Sequence, residues 1–387
     1  LTIPLATYLA SGEGYVTGGE PTALFPVGWP LFLSMVFRVT GPSVTAGLIT
    51  QATLSALTVG LVLLLARRIT GSIGAGVAAA ALYSALPAVW AWNAVLGSEE
   101  LFTFLLLASL WLYLSRGEQW RWLVAAGVTM GLAALVRPTV LPVPLVLLAL
   151  HYLQSRDWRL SLARVGAFTL AMAVVIMPWT VRNAVVLDAP VLVSTNGGMN
   201  AWMGTQSADY YWPEDSSANP LLAVDDEVER DALGKRLFLR HLTNDPGDLV
   251  ALVPDKLAAF FEDPHAALWL DVGTEQTEVL YTAGAWGFHV LIALGALGLV
   301  ALRRYPRRWE AITLAVFFAY YTALFTVFPA SERFRFPLMP IVAVFAGAGV
   351  WAALRRTGAV GEKRELAVHR TVILPYRASP VPSRRDA

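Results

Sequence analysis

No cysteine occurs in the 387 residues, so a disulfide scaffold and thiolate chemistry are both excluded. Charge is scarce as well: 15% of residues are Asp, Glu, Lys or Arg, and the formal net charge is +1. The basic residues stand in short clusters between apolar runs, which leaves no basic face for nucleic acid. Neither a P-loop nor a GxGxxG opens a helix, so a nucleotide has no phosphate cradle. His241, His265 and His289 lack HExxH or similar spacing, and His265 beside Glu262 and Asp263 is the only support for a histidine metal site. Internal repeats and a cleavable signal pattern are missing too. The chain opens on Leu1 and not on Met, which predicts an incomplete N-terminus.

Apolar sequence is what the chain has in abundance. Hydrophobic residues make up 56% of it, in long runs unlike the short alternations of a soluble core. That composition predicts an all-α polytopic membrane protein, because only a helix satisfies its own backbone in hydrocarbon. Spans are expected at Val44 to Ala66, Gly74 to Leu96, Leu101 to Leu114, Trp122 to Val136, Val140 to Leu153, Leu162 to Pro178, Ala283 to Leu302, Ala311 to Phe328 and Leu338 to Leu354. Residues 1–42 are broken by Gly12, Gly14, Gly18, Gly19, Pro21, Pro26, Gly28 and Pro30. They read as a loop in which Leu31 to Phe37 forms a short helix lying on the membrane.

Charge sets the orientation. Arg67/Arg68, Arg116/Arg121, Arg156/Arg159/Arg164, Arg303/Arg304/Arg307/Arg308 and Arg355/Arg356 share one side, which the positive-inside rule makes cytoplasmic. The segments 1–42, Ser98-Glu99-Glu100, Arg137-Pro138, 182–281 and Ser331 to Phe336 then share the outer side. Residues 43–181 carry the first six spans and 282–355 the last three. Val191 to Trp212 suits a turn-rich loop, and Asp225 to Phe261 suits two helices broken at Asp245-Pro246-Gly247, so a small, mainly helical outer domain is expected. The tail, 356–387, is basic and without apolar periodicity, as in a disordered cytoplasmic extension.

Glu99 and Glu100 sit at the N-terminal end of an apolar helix. They either cap it, since the macrodipole favours acid there, or place a carboxylate in a reaction cavity. Four outer arginines run against the orientation bias: Arg137, Arg182, Arg333 and Arg335. Their guanidinium forks match phosphate oxygens, with snorkelling to headgroups as the plainer alternative. Trp202, Tyr210, Tyr211 and Trp212 with Asn196 and Asn200 could stack on and hydrogen-bond a sugar, or form an interfacial belt; Tyr15, Glu20 and Trp29 share that ambiguity. Clustered outer carboxylates are also groups that hold divalent ions.

Several stretches resemble one family in order. Glu20-Pro21-Thr22-Ala23 and Phe25-Pro26-Val27-Gly28-Trp29-Pro30 are similar to the first outer loop of the GT-C membrane glycosyltransferases, in their protein mannosyltransferase-like and aminoarabinose transferase-like bacterial branch (glycosyltransferase family 39-like). Ser98-Glu99, Arg137-Pro138, Pro178-Trp179 with Arg182-Asn183, Ser194 to Gly198 with Asn200, and Arg333 to Pro337 match its later signposts. The resemblance implies a GT-C bundle in the plasma (inner) membrane that takes a sugar from a polyprenyl-phosphate donor and gives it to a lipid, glycan or protein acceptor on the outer face. It implies Glu99 as catalytic carboxylate, beside which Glu100 and Glu20 stand as further candidates, and Arg333 or Arg335, backed by Arg137 and Arg182, as phosphate clamp. Tyr15, Trp29, Asn196, Asn200 and Trp202 would contact substrate. No nucleotide is needed, and the lipid-linked sugar is a substrate. The family's usual first-loop acid has no counterpart in Leu1 to Gly12; it is expected upstream with a preceding helix, unless Glu13 or Glu20 substitutes or the chain is inactive. A transporter, a lipid flippase and a non-catalytic polyprenyl-phosphate binder are the competing expectations.

Overall fold

The structure is a computed structural model that describes residues 2–208, 212–215, 217–262, 274–300 and 305–357. Tyr210, Tyr211, Asp263, His265, Arg303, Arg304 and the tail from residue 358 lie outside the described residues.

Helix α1 (Thr2–Ser11) precedes a hairpin of β1 (Val16–Thr17) and β2 (Glu20–Pro21), then α2 (Gly28–Thr40). Gly18 and Gly19 make the hairpin's turn at φ 62° and 86°, the left-handed region that the tightest hairpins need. Here the expectation of one broken loop fails. The glycines begin only at Gly12, so the ten residues before it are free to be helical, and α2 runs well beyond Leu31 to Phe37. Trp29, Leu33 and Phe37, four residues apart, bury one face of α2.

Among the described residues each expected span is helical over most of its length. After α3 (Val44–Thr70) come α4 (Ile73–Ser84), α5 (Pro87–Asn93), α6 (Ser98–Arg116), α7 (Trp120–Val136), α8 (Val143–Ser155) and α9 (Trp158–Val186). Ser43 caps α3 by accepting from the Ala46 amide at 3.2 Å, and Gly71 ends it at φ 76°. Among the described residues five helices are each long and apolar enough to cross a membrane, and α4 with α5 makes a sixth if the pair counts as one span; α7 is shorter. The span expected from Gly74 to Leu96 is therefore corrected: it bends by 60° before Pro87, whose ring cannot continue a helix. The span expected to end at Pro178 instead passes through it to Val186.

The second half contains α10 (Gly197–Gln206), α11 (Glu227–Asn244), α12 (Pro246–Ala251) and α13 (Val253–Phe261), then α14 (Thr274–Val300), α15 (Arg308–Leu324), the single turn α16 (Glu332–Arg335) and α17 (Met339–Arg356). Helix α10 replaces the loop expected over Val191 to Trp212. Gly198 in it serves contact, not turning: a Cβ there would lie 1.9 Å from the Asp231 carbonyl of α11.

Small residues draw the spans together, as is usual where lipid removes the hydrophobic drive between helices. Gly127 and Gly131 bring α7 onto α9, where added Cβ atoms would stand 2.3 Å from Phe168 O and 2.8 Å from Met172 O. Helix α17 is the most enclosed of the apolar helices and packs against α3, α4 and α14. Gly347 meets the Ala79 backbone and Gly298 meets Phe345.

Lys256 joins the outer helices to the membrane bundle. Its buried ammonium donates to Gly204 O at 2.6 Å, Val327 O at 2.9 Å and Thr326 O at 3.1 Å, although burial pulls its pKa down to about 8. Lys256→Met should strip three carbonyls of their donor and lower stability by about 2–4 kcal/mol. Thermal unfolding in detergent checks this, and an unchanged melting temperature would refute it.

Candidate active site

The candidate site begins at the first turn of α6. Gly97 is extended and offers no side-chain cap, so the start of the helix carries Glu99 and Glu100 directly. Both are buried, at 1% and 0% exposure. Successive residues on a helix point about 100° apart, and the two carboxylates go to different places.

Glu99 Oε1 meets two arginines. Arg137, at the C-terminal end of α7, donates from Nη2 at 2.6 Å, and Arg333 of α16 donates from Nε. Arg137 also reaches Ser98 Oγ at 3.2 Å. Its guanidinium lies 5.7 Å from the Phe102 ring centroid and 5.9 Å from that of Phe334, and Arg333 lies 5.7 Å from the Trp92 ring. Ser331 caps α16 by accepting from the Arg333 amide. Glu99 Oε2 has no hydrogen-bond partner and faces Gly97, where a Cβ would lie 2.3 Å from it. The two arginines differ in freedom: Arg137 is 12% exposed and Arg333 47%.

Glu100 turns into the bundle. Its Oε1 accepts from Asn93 Nδ2 at 3.2 Å, and the same nitrogen donates to Ser55 Oγ at 2.9 Å. Gln51 completes this polar patch by donating to Trp92 O and Val95 O, the carbonyls freed where α5 ends. Glu100 therefore sits between helices on the protein side, away from Arg137 and Arg333.

Beside the Glu99 cluster lies a cavity of about 480 Å³. Ser98, Arg137, Asn196 and Asn200 give it polar groups, and Leu141, Leu192, Phe328 and Phe334 are among its apolar walls. Asn196 and Asn200 thus share a cavity with Arg137.

The remaining candidates lie elsewhere. Arg335 is 2% exposed, donates from Nη1 to Phe260 O and lies 3.8 Å from the Phe288 ring centroid. Residues two apart on a helical turn face nearly opposite ways, so Arg333 and Arg335 cannot act as the adjacent pair their spacing suggests. Arg182 donates to Thr22 O at 2.7 Å and Tyr15 O at 3.0 Å, tying the hairpin to α9. Glu227, which sequence reasoning missed, holds the same loop by accepting from Thr22 Oγ1 and the Ala23 amide. Tyr15 is buried, which raises its phenol well above the usual value and keeps it a donor to Phe25 O at 2.9 Å. Trp29 is buried on α2, and Trp202 packs with Met203, Leu221 and Trp212 in the core of the outer helices. Glu13 and Glu20 are exposed. Among the described residues no three His, Cys, Asp or Glu side chains come together as a metal site.

Phe102, Phe334 and Trp92 escaped sequence reasoning as partners of the arginines. The one signal for Phe334 is its place between two arginines, inside Arg333-Phe334-Arg335.

Arg335→Ala should consequently cost stability through the lost Phe260 contact while leaving donor affinity near wild type. Thermal unfolding beside donor titration separates the two, and a selective loss of donor affinity would contradict the placement.

Residues 25–181 match the family described as dolichyl-phosphate-mannose-protein mannosyltransferase. No curated protein matches the chain in sequence. Among solved structures, ArnT from Cupriavidus metallidurans bound to undecaprenyl phosphate is similar with a TM-score of 0.58 at 15% identity, covering 96% of this chain and 58% of its own. The oligosaccharyltransferase of Archaeoglobus fulgidus tethered to an acceptor peptide gives 0.54 at 16% identity, covering 96% and 48%. The same oligosaccharyltransferase in complex with Zn and sulfate gives 0.53 at 15%, covering 95% and 46%. This chain thus spans about half the length of those relatives. The shared architecture makes this chain a membrane protein of GT-C fold, and its first spans, residues 25–181, are similar to the protein mannosyltransferase family.

Proposed function

We propose that the chain transfers a sugar from a polyprenyl-phosphate-linked donor to an acceptor hydroxyl or similar group at the membrane face where α6 begins. The observation that carries this reading is Glu99, a buried carboxylate held by Arg137 and Arg333 at the edge of a largely apolar cavity. An anionic head and a prenyl tail ask for that combination of guanidinium forks and apolar wall.

The chemistry follows from the contacts. Donor phosphate competes with Glu99 for the guanidiniums, and Arg333, the more exposed, is the one that can leave. Its departure opens the carboxylate. The acceptor oxygen then attacks the anomeric carbon, the bond from that carbon to the phosphate oxygen breaks, and the hydroxyl proton passes to the carboxylate, with Oε2 the unpartnered oxygen. Arg137, fixed by Ser98 and two rings, stays to balance the charge of the leaving polyprenyl phosphate. Asn196 and Asn200 are placed to hydrogen-bond the sugar or the acceptor.

Orientation by arginine-rich helix ends supports an extracytoplasmic site. Arg67/Arg68, Arg116 and Arg355/Arg356 close α3, α6 and α17, and Arg307/Arg308 open α15, while Glu99 stands at the other end of α6. The plasma (inner) membrane is the corresponding location.

Sugar transfer from a radiolabelled polyprenyl-phosphate sugar in sealed vesicles tests the proposal. Label should move to an acceptor in the presence of the full-length protein. Uptake of label without transfer would support a transporter, and donor binding with neither would support a non-catalytic binder.

A further inference from the structure

At the opposite end of α6 from Glu99, a second cavity of about 590 Å³ opens between the ends of α3 and α6 and the start of α15. Arg67, Arg68, Arg116 and Arg307 line it against a single carboxylate, Glu118. Glu310 nearby takes Arg68 Nη2 and Arg307 Nη1, each at 3.3 Å. No partner is recorded for the Arg67 or Arg116 side chain among the described residues. Two more donors on lining residues, Arg68 Nε and Ser115 Oγ, are buried and also unpaired.

A cation at a helix C-terminus favours the macrodipole, and arginine flanks membrane spans in general. Those effects account for basic residues at the rim. They do not account for four guanidiniums converging on one hollow against two carboxylates, Glu118 and Glu310, with unsatisfied donors in its wall, since the excess positive charge repels unless a further anion sits among them.

The surroundings say what kind of anion. Leu64 lines the cavity and is 37% exposed, Trp111 lines it as well, and Trp120 just beyond Gln119 is 54% exposed. Tryptophan at such a position marks the headgroup level of a bilayer. A free anion would find no use for that apolar flank, whereas acyl chains would lie along it.

We propose that this hollow binds the phosphate head of one anionic phospholipid, from the leaflet opposite the Glu99 site. Basic pockets between membrane helices take such heads because arginine forks match phosphate oxygens. The site is separate from the transfer chemistry and does not rest on it.

Lipid retention tests the proposal. The full chain, delipidated in detergent, is given phosphatidylglycerol, phosphatidylcholine or inorganic phosphate, and bound molecules are counted by native mass spectrometry. The expected result is one phosphatidylglycerol per chain, with phosphatidylcholine held far more weakly. Arg67→Gln with Arg116→Gln should weaken that retention roughly thirty-fold, at the usual contribution of each basic residue near a lipid phosphate. Equal retention of the two lipids by the wild-type protein would overturn the proposal, and this arm needs no variant to fold. So would a doubly substituted protein that keeps its phosphatidylglycerol. Inorganic phosphate bound as firmly as phosphatidylglycerol would show a free anion, not a lipid, as the ligand.

Discussion

Glu99→Gln is expected to lower sugar transfer by a factor of about a hundred or more, the typical scale for a positioned acid–base group. The substitution keeps the side chain's shape but removes both its charge and its capacity to take a proton. Glu100→Gln is expected to do much less. Its Oε1 accepts one hydrogen bond from Asn93 in an enclosed polar patch, and the glutamine carbonyl can accept the same bond. The pair is best read in vesicles, with transfer rate and donor binding measured separately. Equal mild losses at the two positions would return both acids to capping α6, and a larger effect at Glu100 would relocate the reacting group to the Asn93 and Ser55 side.

Arg137→Ala should be the most damaging single change to the folded state near this site. It leaves Glu99, at 1% exposure, with Arg333 alone, and breaking a buried pair by deleting one partner costs about 3–5 kcal/mol. Donor affinity should fall as well, by about 1.5–3 kcal/mol for the lost charge-assisted bond to phosphate. The double substitution Glu99→Gln with Arg137→Ala removes the stranded charge along with its partner. Its melting temperature should therefore recover towards wild type while transfer stays low, and the two stability effects should be strongly non-additive. Additive losses in the double variant would mean that Glu99 and Arg137 do not act through each other. Unchanged donor affinity in Arg137→Ala would move the phosphate site to Arg333 or away from this cluster.

Ser98-Glu99-Glu100, Arg137-Pro138 and Arg333 to Pro337 are legible in the sequence because charge is conspicuous at the ends of apolar runs, and all three stretches do meet, with Glu99, Arg137 and Arg333 in direct contact. Which member of each charged pair enters that contact was not legible. Helix geometry sends Glu100 to Asn93 and Arg335 to Phe260, and adjacency in the chain carries no information about that direction until neighbouring helices are placed. The same reason explains Tyr15, Arg182 and Trp202. Aromatics and arginines suited to a sugar phosphate are equally suited to locking a hairpin or filling a small core, and only their contacts separate the two uses.

Glycine serves close packing of helices at two places, for one physical cause. Gly198 looks like a turn residue, yet it lies in the first turn of α10, where the absence of Cβ lets that helix rest on the backbone of α11. Gly127 and Gly131 likewise bring α7 against α9.

By itself the sequence determined that the chain is helical and lives in a membrane, because long uncharged apolar runs leave the backbone no other way to satisfy its hydrogen bonds in lipid. It also determined which ends of the helices carry the arginines. The tertiary structure alone decided that one carboxylate of two, and two arginines of four, converge beside a cavity. Pairing of charges depends on the angles at which helices and a single turn from distant parts of the chain come together, over separations of 38 residues for Glu99 with Arg137 and 234 for Glu99 with Arg333. No local pattern encodes those angles.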